Sequence, residues 1–177
     1  MSGTTVLVTG ATGRIGRYLV EALAAADVDV RAMTRRPEQA SGLAEQGAEL
    51  VEGDFADPSS LDDALTGTDR AFLLSPVVQE MADFQENFVS AAERADVGHL
   101  VKLSAAGADS TSKWDIARWH GEVENRIDES DVSGTHLRPV FYMQNLLDAA
   151  ERLRETGLLE RPAPPDTRIN MIDTRDV

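Results

Sequence analysis

The stretch VLVTGATGRIGRYLV, residues 6–20, joins a β-branched apolar run to an amphipathic one across three glycines, Gly10, Gly13 and Gly16. TTVLVTG (4–10) predicts a buried strand ended by Gly10. RIGRYLVEALAAAD (14–27) predicts a helix, with Ile15, Leu19, Leu23 and Ala26 recurring near the 3.6 period. The glycines are spaced G-x-x-G-x-x-G, one residue longer than the dinucleotide fingerprint G-x-G-x-x-G, and stand where strand turns into helix. There Gly10 allows a tight turn, Gly13 lets backbone approach a pyrophosphate, and Gly16 lets the helix pack on the sheet. A helix N-terminus adds unpaired N–H groups and partial positive charge. A strand-to-helix turn without a ligand needs similar residues, so the remaining chain decides between the two.

The strand–helix alternation continues to the end. VDVRAMT (28–34), AELVEGD (48–54), DRAFLLSP (69–76), HLVKLSAAG (99–107) and GTHLRP (134–139) predict five more strands. Between and after them, helices are predicted over 37–47, 57–67, 78–98, 112–130 and 143–157. Pro37 stands in the first turn of the 37–47 helix and Gly47 at its end; Asp57, Pro58 and Gly67 mark the cap, first turn and end of the next. Six such units predict an α/β fold: a doubly wound parallel Rossmann sheet with helices on both faces. ERPAPPD (160–166) is a proline-rich break, and TRINMIDTRDV after it begins what reads as another strand. The expected organisation is a nucleotide-binding domain over 1–157 and the start of a C-terminal substrate-binding portion over 158–177, the rest of that portion being largely absent.

Cofactor choice turns on the end of the second strand. An NAD site wants an acidic residue about 20 positions on, to bond the ribose 2′-OH. Counting from Gly16, 35 − 16 = 19 falls on Arg35, within Thr34-Arg35-Arg36, and no carboxylate lies there. A guanidinium forks onto a 2′-phosphate, which a carboxylate would repel. NADP is therefore expected ahead of NAD.

The chain carries 31 acidic against 17 basic residues, a formal charge of −14, and has no cysteine. Of the basic residues only Lys102 and Lys113 are lysines. Such a surface repels nucleic-acid phosphates and anionic lipid, so neither is an expected partner. It resembles the surface of salt-adapted proteins and fits an ordinary acidic one as well. No cysteine means no disulfide framework, thiolate zinc site or cysteine nucleophile. With no signal-peptide pattern and no apolar run near the ~20 residues that span a bilayer, a cytoplasmic location is expected.

Taken together, TGATGRIGRYLVEAL, AMTRRP, EGDFADPSSLDDAL, LVKLSA and THLRPVFYMQNLL resemble the NmrA-like, or atypical, branch of the extended short-chain dehydrogenase/reductase superfamily, over about residues 4–147. The resemblance implies that Thr12, Gly13, Arg14 and Ile15 wrap the pyrophosphate and Arg35 the 2′-phosphate. Asp54 and Phe55 would meet the adenine, and Leu74, Ser75 and Pro76 the nicotinamide ribose. GDFADP also reads as turn and cap chemistry.

Catalytic members of that superfamily carry a serine after the fifth strand and Tyr-x-x-x-Lys on the next helix. Ser104 is in place, either bonding substrate or cofactor or ending the strand. The 112–130 helix holds no tyrosine; it reads ARWHGEVEN, with His120 and Glu124 spaced i, i+4. His120 serves as a proton donor or, with Glu124, forms a surface pair. Trp114, Trp119, Phe141 and Tyr142 line an apolar pocket or pack in the core. Scattered histidines (His99, His120, His136) give no metal site. Two functions follow from the resemblance: an NADPH-dependent reductase of quinone-like or conjugated carbonyl substrates, or a dinucleotide-sensing regulator acting through a protein partner. A homodimer through the 78–98 helix is compatible with either.

Overall fold

The computed structural model describes residues 3–26, 28–158 and 166–177. It falls into two compact units, divided after Arg138. The sequence places its domain boundary later, at residue 157. The proline-rich stretch lies outside the described residues except for Asp166.

The first unit is built on strands β1 (Thr5–Val8), β2 (Asp29–Thr34), β3 (Glu49–Glu52), β4 (Arg70–Leu73), β5 (His99–Leu103) and β6 (Ser133–Leu137). All five pairings are parallel, in the order β3-β2-β1-β4-β5-β6. The connecting helices are α1 (Arg14–Ala24), α2 (Ser41–Glu45), α3 (Pro58–Leu65), α4 (Met81–Arg94) and α5 (Asp115–Asp128). Right-handed crossovers put α1 and α2 on one face and send the chain across at α3. Accordingly α3 packs on α4, and α4 on α5. The order reverses between β1 and β4, and ligands of such sheets bind beyond the strands' carboxyl ends at that reversal.

Apolar side chains from both layers fill the core. Leu7, Leu73 and Leu100 of the sheet meet Leu61 and Leu65 of α3, Phe88 and Val89 of α4, and Val123 and Ile127 of α5. Each is almost wholly buried, and the area such residues remove from water stabilises the fold by about 25 cal/mol per Å². Asp57 caps α3 by accepting the Ser59 N–H at 3.0 Å, with Pro58 at the first helical position.

Two predicted helices break. Residues 37–47 form a 3₁₀ turn (Pro37–Gln39) and then α2, because Ala40 leaves helical geometry and Ser41-Gly42 are weak helix formers. Residues 143–157, in the second unit, form α6 (Asn145–Asp148) and α7 (Ala150–Thr156), the latter stopped by left-handed Gly157. That unit also holds a parallel pair, β7 (Phe141–Tyr142) with β8 (Met171–Ile172), within the predicted terminal strand. Among the described residues no helix is long and apolar enough to cross a membrane.

Candidate functional site

A crevice of about 960 Å³ opens at the sheet's reversal point, with walls supplied by the carboxyl-end loops of β1, β2, β3 and β4. From β1 come Gly10, Thr12 and Gly13, from β2 Arg35 and Arg36, from β3 Asp54 and Phe55, and from β4 Leu74, Ser75 and Pro76. Nine separately expected positions, all of these but Arg36, thus fall around one opening.

Its floor is fastened by Thr9. The Thr9 hydroxyl lies 3.0 Å from the carbonyl oxygens of Phe72 and Leu74, and accepts the Leu74 N–H at 2.8 Å. Gly10 then turns in the left-handed region (φ 61°), and a Cβ there would stand 2.8 Å from the Leu74 side chain. At Gly16 a Cβ would stand 2.2 Å from Gly10 O, so only glycine lets the helix return beneath the loop. Gly13 is the N-cap of α1, where no side chain caps the first-turn amides and no acidic side chain stands. Helix donors left without a protein cap receive anions.

Arg14, Ile15, Gly16 and Ser104 lie outside the crevice wall. Ile15 turns its side chain into the interior, and Ser104 is buried. Arg17 is a wall residue that sequence reasoning passed over; its Nε donates to Thr12 O at 2.9 Å and steadies the loop. The signal was its place one turn into α1, on the side facing the glycines. Phe84 of α4 was also missed, and it stacks on Phe55 at 6.3 Å between ring centroids. Asn87 donates to Phe55 O at 3.0 Å, and Gln85 to Ser75 Oγ at 2.8 Å, so α4 supports two of the four loops.

Arg35 and Arg36 form no side-chain ion pair among the described residues. In a chain so rich in carboxylates, two guanidiniums left together at a crevice rim suit an incoming anion. Asp54 combines both readings of GDFADP: it borders the crevice while its Oδ1 accepts the Ala56 N–H at 3.0 Å.

A second polar group lies between β5 and α5. His120 and Glu124 are buried, so the expected surface pair is not formed; helix spacing aligned them, and the burial comes from packing on the sheet. Each takes a separate partner. Lys102 Nζ lies 2.8 Å from His120 Nδ1, and Arg138 forks onto Glu124 at 3.0 and 2.5 Å. Burial pulls the Lys102 ammonium down to about 8, with Glu124 acting in the opposite direction. Burial, reinforced by the Lys102 charge, pulls His120 down to about 4. Burial opposes the charge on Glu124, yet Arg138 foremost holds the carboxyl below its ordinary range. The Ser104 hydroxyl adds to that hold from outside hydrogen-bonding geometry, and its enclosed oxygen is unpartnered. In the sequence Lys102 stood out only as one of two lysines.

Trp114, expected in a pocket or the core, is 81 % exposed, because it precedes α5 as its N-cap; Trp119 is half-buried. Phe141 and Tyr142 belong to the second unit. Among the described residues no cluster of three metal-ligating side chains occurs.

Sheet order, glycine turn and crevice together define a Rossmann-type nucleotide-binding domain. The chain belongs to the NmrA-like family, whose sequence model matches residues 2–177. It is 34% identical over 172 residues to an NAD(P)H azoreductase of Xenophilus azovorans, covering 97% of this chain and 60% of that protein. It is similar as well to quinone oxidoreductase 2 of Escherichia coli, whose NADPH complex superposes with a TM-score of 0.77 at 32% identity, over 86% of this chain and 54% of that one. The NADP(H) complex of a Citrobacter triphenylmethane reductase gives 0.76 at 30% identity, over 86% and 55%. The chain therefore spans little more than half the length of these relatives.

Proposed function

We propose that this chain is the nucleotide-binding part of an NADPH-dependent reductase of quinone-like or conjugated carbonyl compounds. The observation that carries the reading is the uncapped glycine-opened start of α1 facing the same crevice as the unpaired Arg35 and Arg36. The pyrophosphate would rest on Gly10, Thr12 and Gly13 and on amides at Arg14, Ile15 and Gly16, with the missing Cβ of Gly13 leaving the backbone open to it. Arg35 would fork onto the 2′-phosphate, Asp54 and Phe55 would border the adenine, and Leu74 to Pro76 would border the nicotinamide ribose, with Ser104 behind them. NAD would bind more weakly, since it offers Arg35 no phosphate. A bound nicotinamide supplies hydride; the chain's task is to hold its ring against the substrate. The names of the reductases reported above support this class of substrate.

Fluorescence titration with NADPH and NADH, in low and molar salt, tests the reading, followed by a quinone panel monitored at the nicotinamide absorbance band. Tighter binding of NADPH, with oxidation on adding a quinone, is the expected result. Binding without oxidation, in this chain and in one extended to the relatives' length, would favour the dinucleotide sensor. Binding of neither nucleotide would leave the glycines as a turn.

A further inference from the structure

Lys102 is wholly enclosed in β5. Its ammonium has three donors and no acceptor, so His120 Nδ1, 2.8 Å away, must accept, and the ring hydrogen then resides on Nε2. That nitrogen makes no hydrogen bond to a described residue. Nor is it among the enclosed unpartnered atoms, which are Thr68 Oγ1, Gln85 Oε1, Ser104 Oγ, His136 Nδ1 and Thr174 Oγ1. The Nε2 edge of the ring therefore reaches the surface. His120 sits in the second turn of α5, outside the crevice wall, on the helix that follows the carboxyl end of β5, the end beyond which such sheets bind ligands.

The charges around the pair are accounted for on every packed element. Glu124 lies one turn further along α5 and is clasped by Arg138 beyond β6. His136 of β6 is the register partner of Lys102 and directs Nε2 to Asp128 at 2.8 Å. On the β4 side the register partner is the apolar Leu73. On α5, Arg118 pairs with both Asp115 and Glu122, and Arg126 pairs with Glu93 of α4.

We propose that His120 delivers the proton in the reduction, and that Lys102 is the positioning residue that fixes its Nε2–H tautomer and restores the proton. This rests on the reductase reading and fills the place of the tyrosine that α5 lacks. A bound nicotinamide would supply hydride to the carbonyl carbon; the carbonyl oxygen, receiving the π pair, would take the His120 Nε2 proton. Nδ1 takes a proton from the Lys102 ammonium; Nε2, at the surface, then takes one from solvent as Nδ1 returns its own to the Lys102 amine. Each carbonyl thus consumes one hydride and one solvent proton.

The lock is tested on the nucleotide-free chain. With ¹⁵N-histidine, long-range correlation at pH 7 should show His120, identified by its loss in His120→Gln, as the Nε2–H tautomer; Lys102→Met should abolish that preference. With ¹³C-lysine the wild type, which has two lysines, should show Lys102, the resonance kept in Lys113→Arg, titrating near 8. A His120 Nδ1–H tautomer, or no Lys102 titration near 8, would overturn the lock even if Lys102→Met fails to fold. In turnover His120→Gln should lose roughly 100-fold in kcat with NADPH affinity kept. Wild-type kcat should fall as pH rises through about 8, where Lys102 discharges, and Lys102→Met should lack that limb. Unchanged kcat in His120→Gln would overturn proton delivery. Failure of the wild type to bind NADPH would overturn the reductase reading and the delivery step together, while the spectra judge the lock separately.

Discussion

Thr9 and Leu74, 65 residues apart, meet where β1 and β4 part: the Thr9 hydroxyl accepts the Leu74 N–H at 2.8 Å and lies 3.0 Å from the Leu74 carbonyl. This clip holds two crevice loops at a fixed spacing. Thr9→Val keeps the shape and strands the Leu74 amide. Urea unfolding should show a loss of about 1–3 kcal/mol, the cost of an unmet, partly buried donor. NADPH affinity should fall with it.

Removing Arg35 should act on the nucleotide and spare the fold. A charge-assisted fork contributes about 1.5–3 kcal/mol, so Arg35→Ala should weaken NADPH binding roughly 10- to 100-fold. NADH titration of the same variant should change little. Equal losses for both nucleotides would remove Arg35 from the 2′-phosphate.

The glycines separate folding from binding. At Gly16 an added methyl meets backbone at 2.2 Å, so Gly16→Ala should lose about 1–3 kcal/mol of stability by overpacking. At Gly13 the nearest atom is Gly10 O at 3.0 Å, and a small shift relieves it. Gly13→Ala should keep a melting temperature within a few degrees while losing at least tenfold in NADPH affinity, about 1.4 kcal/mol. Thermal melts beside nucleotide titrations check both.

Stability should rise with pH in two windows. Lys102 and His120 both have pKa values lowered by folding, so the unfolded chain binds more protons between the folded and unfolded values. Unfolding free energy should therefore climb from about pH 4 to 6.5 through His120, and from about 8 to 10.5 through Lys102. Acid removes the first contribution. Urea midpoints across pH should show the upper climb in wild type and lose it in Lys102→Met.

The frame was legible because its signals are local. A β-branched run before Gly10, a 3.6 period after it, and Asp57-Pro58 at a helix start each act within a few residues, and all six sheet strands followed. The crevice was legible for the same reason, since the carboxyl end of each strand is a sequence position. What escaped depends on neighbours distant in the chain. The spacing of His120 and Glu124 suggested that they pair, but the sheet offers each a better partner. HLVKL alternates as any strand does, and nothing in it says that α5 will cover the lysine.

The confinement of Lys102 gives the protein a natural chemical reporter. Lys113 is exposed and Lys102 is sealed, and no other lysine competes with them. An amine-reactive reagent should mark Lys113 at once, whereas a label on Lys102 records the moment α5 lifts from β5. Peptide mass mapping over time would then clock the breathing of one layer of the domain, without any engineered probe.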